Sequence, residues 1–107
     1  MFKKLHRLPG GVKVAGLSFN SQYYALRLGR NDLKVSRFGI IVSRKIDKRA
    51  TARNRIKRRI RFCLDKNFKN IVPGFDLLFI AKKYALGKTT DEICKNIEGD
   101  LTKLKIL

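Results

Sequence analysis

The sequence predicts a small α+β domain, and three observations carry that expectation. It has 107 residues, 44% of them hydrophobic, which is enough apolar material for one modest core. Stretches rich in β-formers are interleaved with two stretches of helical period. No Pro-rich linker, internal repeat or low-complexity tract divides the chain, so residues 1–107 are expected to form one unit.

The elements follow from periodicity and punctuation. Pro9, Gly10, Gly11 and Gly16 allow only a short helix near the N-terminus, with Val12, Val14, Leu17 and Phe19 available to a core. Ser21 to Leu28 reads as a strand, Gly29 to Asp32 as a turn, and Val35 to Ser43 as a second strand, together an expected antiparallel hairpin. Ala50 to Lys69 has helical period, with Thr51 or a preceding residue as its cap, and stops before Asn70 and the Pro73-Gly74 turn. Phe75 to Ala81, FDLLFIA, is too continuously apolar for a strand with one face in water. Thr89 followed by Glu92 forms a capping-box pattern, opening a last helix with Ile93, Ile97, Leu101 and Leu104 on one stripe.

Charge points to a partner. There are 26 Lys and Arg against 8 Asp and Glu, a formal net charge of +18. Residues 1–43 hold eight basic and one acidic residue, 44–69 twelve and two, and 70–107 six and five, so the three segments carry +7, +10 and +1. The excess is therefore concentrated in and just before the central helix, as expected of a surface for nucleic acid. On a helical wheel Ala52, Ile56, Ile60, Cys63, Leu64 and Phe68 share one side. Arg55, Arg58, Arg59, Arg61, Lys66 and Lys69 lie opposite, with Asn54 and Phe62, and Lys57 at the border. A solvated face normally alternates signs at i, i+4, yet Asp65 is the only acidic residue between Ala50 and Lys69. Like charges at that spacing cost the free helix a few tenths of a kcal/mol each. Arg predominates, which suits bidentate contacts to phosphate and base edges.

Other classes are disfavoured. No apolar run approaches the roughly 20 residues of a membrane span, and the N-terminal stretch has no sustained apolar segment of a signal peptide, so a cytoplasmic protein is expected. Cys63 and Cys94 have neither C-x-x-C spacing nor a nearby His, so both are expected to be reduced core residues, without a metal site or disulfide framework. His6 stands alone in a basic segment, and no Ser/His/Asp set, paired carboxylates or Gly-rich phosphate loop is apparent. No catalytic residue is expected in this chain.

Ser43-Arg44-Lys45-Ile46, followed by Ala52-Arg53-Asn54-Arg55-Ile56-Lys57-Arg58-Arg59-Ile60-Arg61, resembles the signature of the bacterial ribonuclease P protein component. The similarity extends from Tyr23–Leu28 through Arg37–Val42 and the Asp76–Lys83 strand with its A-K-K ending to the last helix. It implies a two-layer α/β sandwich of αβββαβα order, like a domain of ribosomal protein S5, with a left-handed βαβ crossover around the basic helix. It also implies a protein that binds the ribonuclease P RNA and assists removal of the 5′ leader from precursor tRNA, the RNA supplying the catalytic centre and its Mg2+. By the same resemblance Arg44, Lys45, Arg53, Asn54, Arg55, Lys57, Arg58, Arg59 and Arg61 contact the catalytic RNA. The family's leader cleft lies between a first helix and the sheet. This chain has a Gly-interrupted PGGVKVAGLSF where the family places that helix.

Candidates for leader contact are Phe19, Tyr23 and Arg27, because a single strand is held by cations interleaved with rings. Alternation sets Tyr23, Ala25 and Arg27 on one face of their strand and Tyr24, Leu26 and Leu28 on the other, the latter reading as core. The alternative function is a ribosomal or other structured-RNA binder with no part in cleavage.

Overall fold

The computed structural model describes residues 7–8, 14 and 16–107. Four strands, β1 (Leu17–Asn20), β2 (Tyr24–Arg30), β3 (Arg37–Ile41) and β4 (Phe75–Ala81), form one sheet in the order β1-β2-β4-β3. Helices α1 (Ala50–Asn67) and α2 (Thr90–Lys103) complete the described order βββαβα. The expected short N-terminal helix, and Val12 with it, falls on residues outside those described.

The sheet corrects the expected hairpin. β2 and β3 are not neighbours, since β4 lies between them, antiparallel to β2 and parallel to β3. FDLLFIA is the most continuously apolar strand, and the middle of the sheet satisfies its backbone on both edges. The connection from β2 to β3 crosses the start of β4 instead of turning tightly. Asn31 donates to the Val35 carbonyl and to Asp76, and the Ser36 hydroxyl donates to the Val72 carbonyl. The actual hairpin is β1–β2, with Leu17 opposite Leu28 and Asn20 opposite Ala25. Its turn takes Ser21 and Tyr23 out of the expected strand, because the Ser21 hydroxyl accepts from the Tyr23 amide and the Ser21 amide bonds the Tyr24 carbonyl. Gly16 precedes β1 at φ +146°, where a Cβ would lie 2.4 Å from the Leu28 carbonyl oxygen, so only glycine lets the strand approach β2 there.

The helices cover one face of the sheet. Ile56, Ile60, Cys63 and Leu64 of α1 and Ile93, Ile97 and Leu101 of α2 pack with Tyr24, Leu26, Leu28, Phe38, Leu77 and Phe79 in one buried cluster. Of the apolar residues available to a core there, Val14 is buried and Phe19 half-buried, whereas Leu17 is 55% exposed. α1 is capped at Arg49, a residue preceding Thr51, without a side-chain cap hydrogen bond, and passes at Phe68–Asn70 into a short 3-10 turn. α2 has the expected capping box, Thr89 bonding the Glu92 amide and Glu92 bonding the Thr89 amide.

Cys63 and Cys94 are joined by a disulfide with their Cα atoms 5.2 Å apart, which corrects the expectation of two reduced thiols. Each lies on the buried stripe of its helix, and packing of α1 on α2 brings the stripes together. Their separation of 31 residues in the chain carries no trace of this.

Candidate nucleic-acid interface

The loop between β3 and α1 is built around the Asp47 backbone and carboxylate. Asp47 accepts from the Arg49 amide at 2.8 Å and from the Arg49 guanidinium at 3.1 and 2.9 Å. These hydrogen bonds hold its carboxyl down to about 2, the guanidinium contributing most. Arg53, one turn into α1, donates to the carbonyls of Asp47 and Lys48 at 3.0 and 2.8 Å. Its guanidinium therefore fastens the loop to the first turn of the helix. Arg44, Lys45 and Lys48 remain exposed on that loop.

Along α1 and the loop before it, the nine residues expected at the RNA surface separate into distinct groups. Asn54, Arg55, Arg58 and Arg61 are exposed, as are Arg44 and Lys45 in the loop. With Thr51 and half-buried Lys57, the four helix residues line an open groove along the outer side of α1. Arg59 is half-buried and donates to the Lys88 carbonyl in the β4–α2 connection. Arg53 and Arg59 thus hold structure as well as charge, while Arg55, Arg58 and Arg61 have their guanidinium groups free to meet phosphate oxygens in bidentate fashion.

Phe62 lies on this same outer side and is 58% exposed. Arg55, Arg58, Arg59 and Phe62 are spaced i, i+3, i+4, i+7, and with Thr90 and Asp91 at the start of α2 they line a second groove of about 500 Å³. The wheel showed Phe62 facing solvent, but only the approach of α2 makes a groove there.

The sheet face turned away from the helices carries Ala25 and Arg27 of β2, Leu78 and Ile80 of β4 and Ile41 of β3. Arg27 is exposed and Ile41 is 46% exposed. Leu8 rests against Gly39 on this side and its amide bonds the Phe38 carbonyl. Tyr23 lies in the turn just before β2, half-buried, and packs in part against the core cluster. Phe19 does not join Arg27: it pairs with Leu26, whose side chain is fully buried under the helices, and packs against that core. Of the three leader candidates, Arg27 is exposed on the open face, while Phe19 and Tyr23 are half-buried and each packs in part against the core.

Tyr84 was not singled out in the sequence. Its ring stacks on Tyr23 with centroids 5.3 Å apart, and the Lys88 ammonium lies 4.3 Å from its centroid. It is 51% exposed, in the short turn after β4, a place that periodicity does not interpret.

Cys63, Cys94 and Glu98 bring their ligand atoms within 4.8 Å of one another, but with the two sulfurs bonded together neither is a thiolate for a metal ion. Among the described residues no helix is long and apolar enough to cross a membrane.

A two-layer sandwich with a cation-lined helix on its surface and a half-open sheet face defines a basic α+β protein of the RNA-binding class. The family model Ribonuclease P matches residues 11–105. A Clostridium kluyveri ribonuclease P protein component is 37% identical over 94 residues, covering 86% of this chain and 83% of the relative. An RNase P protein of Staphylococcus aureus superposes with a TM-score of 0.87 at 27% identity, over 97% of this chain and 92% of that one. That of Thermotoga maritima does so at 0.75 and 28%, over 82% and 83%. The chain belongs to the ribonuclease P protein component family, whose members are the protein subunit of an endoribonuclease complex that matures the 5′ end of tRNA.

Proposed function

We propose that this chain binds the ribonuclease P RNA through the outer face of α1 and the loop before it, and that it holds the 5′ leader of precursor tRNA on the open sheet face. In this reading Arg44, Lys45, Asn54, Arg55, Lys57, Arg58 and Arg61 meet the RNA directly. Arg53 positions the loop, and Arg59 ties α1 to the β4–α2 connection. Tyr23 and Arg27 meet the leader. The catalytic centre and its Mg2+ belong to the RNA, and the protein contributes charge neutralisation and substrate position.

The observation that carries the reading is the row of exposed Arg55, Arg58 and Arg61 on a helix whose opposite stripe is fully occupied by the core. Backbone N–H groups at the start of α1 add to the attraction for phosphate there. A salt titration of affinity for ribonuclease P RNA tests it. A contact with about six phosphates gives a log-log slope of roughly −5, and Arg55→Ala with Arg58→Ala should make it shallower by about two. A slope near zero, or one unchanged in the folded double variant, would remove α1 from the interface.

A further inference from the structure

We infer that the groove at Phe62 is a subsite for one unpaired nucleobase of the partner RNA, stacked on the Phe62 ring between Arg55, Arg58 and Arg59. The inference rests on the reading of α1 as the RNA-facing helix and adds to it a contact of a different physical kind.

A single exposed aromatic residue on a protein surface calls for no explanation by itself. Phe62 differs in its surroundings. It is 58% exposed on the cationic outer side of α1, and the groove is also lined by Arg55, Arg58, Arg59, Thr90 and Asp91. An apolar protein partner would have to bury three arginines against the single carboxylate of Asp91, which is costly. A nucleotide meets both demands at once: its base lies flat on a ring and its phosphates face guanidinium groups. Every base has a π-face, so stacking at Phe62 is tolerant of sequence. The groove also has an acceptor, since Asp91 stands at its rim. A carboxylate there repels phosphate and accepts from an amino or imino group, which favours a base edge carrying N–H donors. The groove volume of about 500 Å³ falls within the range of small-ligand sites.

The test is affinity for ribonuclease P RNA measured across salt for Phe62→Ala, Phe62→Leu, Phe62→Trp and Arg58→Ala, with sedimentation of each free protein. Phe62→Ala should weaken binding about five-fold to a hundred-fold, the range for loss of one stacked base, while leaving the salt slope unchanged. Phe62→Trp should bind as the parent does, and Phe62→Leu, apolar but without a planar ring, should remain weak. Arg58→Ala should instead make the slope shallower. Parental affinity in Phe62→Ala beside a weakened Arg58→Ala would overturn the subsite and leave the RNA-facing helix standing. Parental affinity in both would overturn the reading of α1 itself. Full rescue by Phe62→Leu, or a Phe62→Ala protein that changes only in sedimentation mass, would assign the ring to an apolar contact with protein and overturn the inference.

Discussion

Tyr24 donates its phenolic hydrogen to the Asp100 carboxylate at 2.6 Å, a buried bond that joins β2 to α2 across 76 residues. Tyr24 is fully buried and Asp100 is only 7% exposed. Removal of the hydroxyl in Tyr24→Phe leaves the carboxylate without this partner, at a cost of about 1 to 3 kcal/mol. Urea unfolding should show a lower midpoint with little change in slope, and an unchanged midpoint would mean that Asp100 is satisfied without Tyr24. Burial, and then the bond to Asp100, raise the Tyr24 hydroxyl above its ordinary value of 10.0. In the unfolded chain the phenol ionises at its ordinary value, so this contribution is present below that pH and is lost as pH rises above it. Tyr24→Phe should weaken that alkaline loss.

Asp76 gives the opposite pH dependence. Arg37 grips it with two hydrogen bonds of 2.9 and 2.8 Å, Asn31 adds a third at 2.8 Å, and the Arg37 guanidinium is the main cause that lowers its pKa. A lowered carboxylate contributes stability above its ordinary value of 3.8, and that stability is lost as pH falls toward the lowered value. Asp76→Asn should therefore destabilise at neutral pH and differ less from the parent in acid. A constant difference from neutral pH into acid would contradict the ion-pair account.

The disulfide between Cys63 and Cys94 closes a long loop through β4. By loop entropy such a crosslink is worth about 3 to 4 kcal/mol, so a reductant should lower the melting temperature by roughly 10 to 30 °C. The Cys63→Ala, Cys94→Ala double variant should melt at the reduced temperature whether or not reductant is added. Thiol titration of the unfolded, unreduced protein should find no free thiol, and two free thiols would restore the expectation drawn from composition.

The placement of the leader candidates, with Arg27 exposed on the open face and Tyr23 stacked on exposed Tyr84, predicts different losses. Tyr23→Ala with Arg27→Ala should weaken binding of precursor tRNA to the holoenzyme while sparing leaderless tRNA, with each lost stacked base worth about 1 to 3 kcal/mol. Phe19→Ala should lower thermal stability and leave the ratio of precursor to mature affinity unchanged. Tyr84→Ala should resemble the Tyr23 change, since the two rings stack. Equal loss for both tRNAs in the Tyr23 and Arg27 variant would place these residues outside the leader path.

What sequence reading reached was whatever local pattern determines. FDLLFIA has the bounds expected of it, the Thr89 and Glu92 capping box is formed, and the α1 stripe of Ala52, Ile56, Ile60, Cys63 and Leu64 is buried. What it missed depends on contacts distant in the chain. The place of β4 between β2 and β3, the meeting of Cys63 with Cys94 and the Tyr23–Tyr84 stack each join residues more than 30 positions apart. β1 escaped because four residues are too few for a period to register. In the basic motif, residue type revealed the charge but not its use. Only the fold shows that Arg53 and Arg59 bond backbone carbonyls while Arg55 and Arg58 stay open to solvent.

Service to ribonuclease P through the outer face of α1 is decided by precursor tRNA cleavage at low Mg2+ with ribonuclease P RNA, with and without the protein. Cationic groups that take over phosphate neutralisation should let the RNA cleave where, alone, it is poor. The parent chain should stimulate strongly, and an Arg55→Ala, Arg58→Ala variant whose melting temperature is unchanged should not. Cleavage no faster with the parent chain than with RNA alone would contradict it.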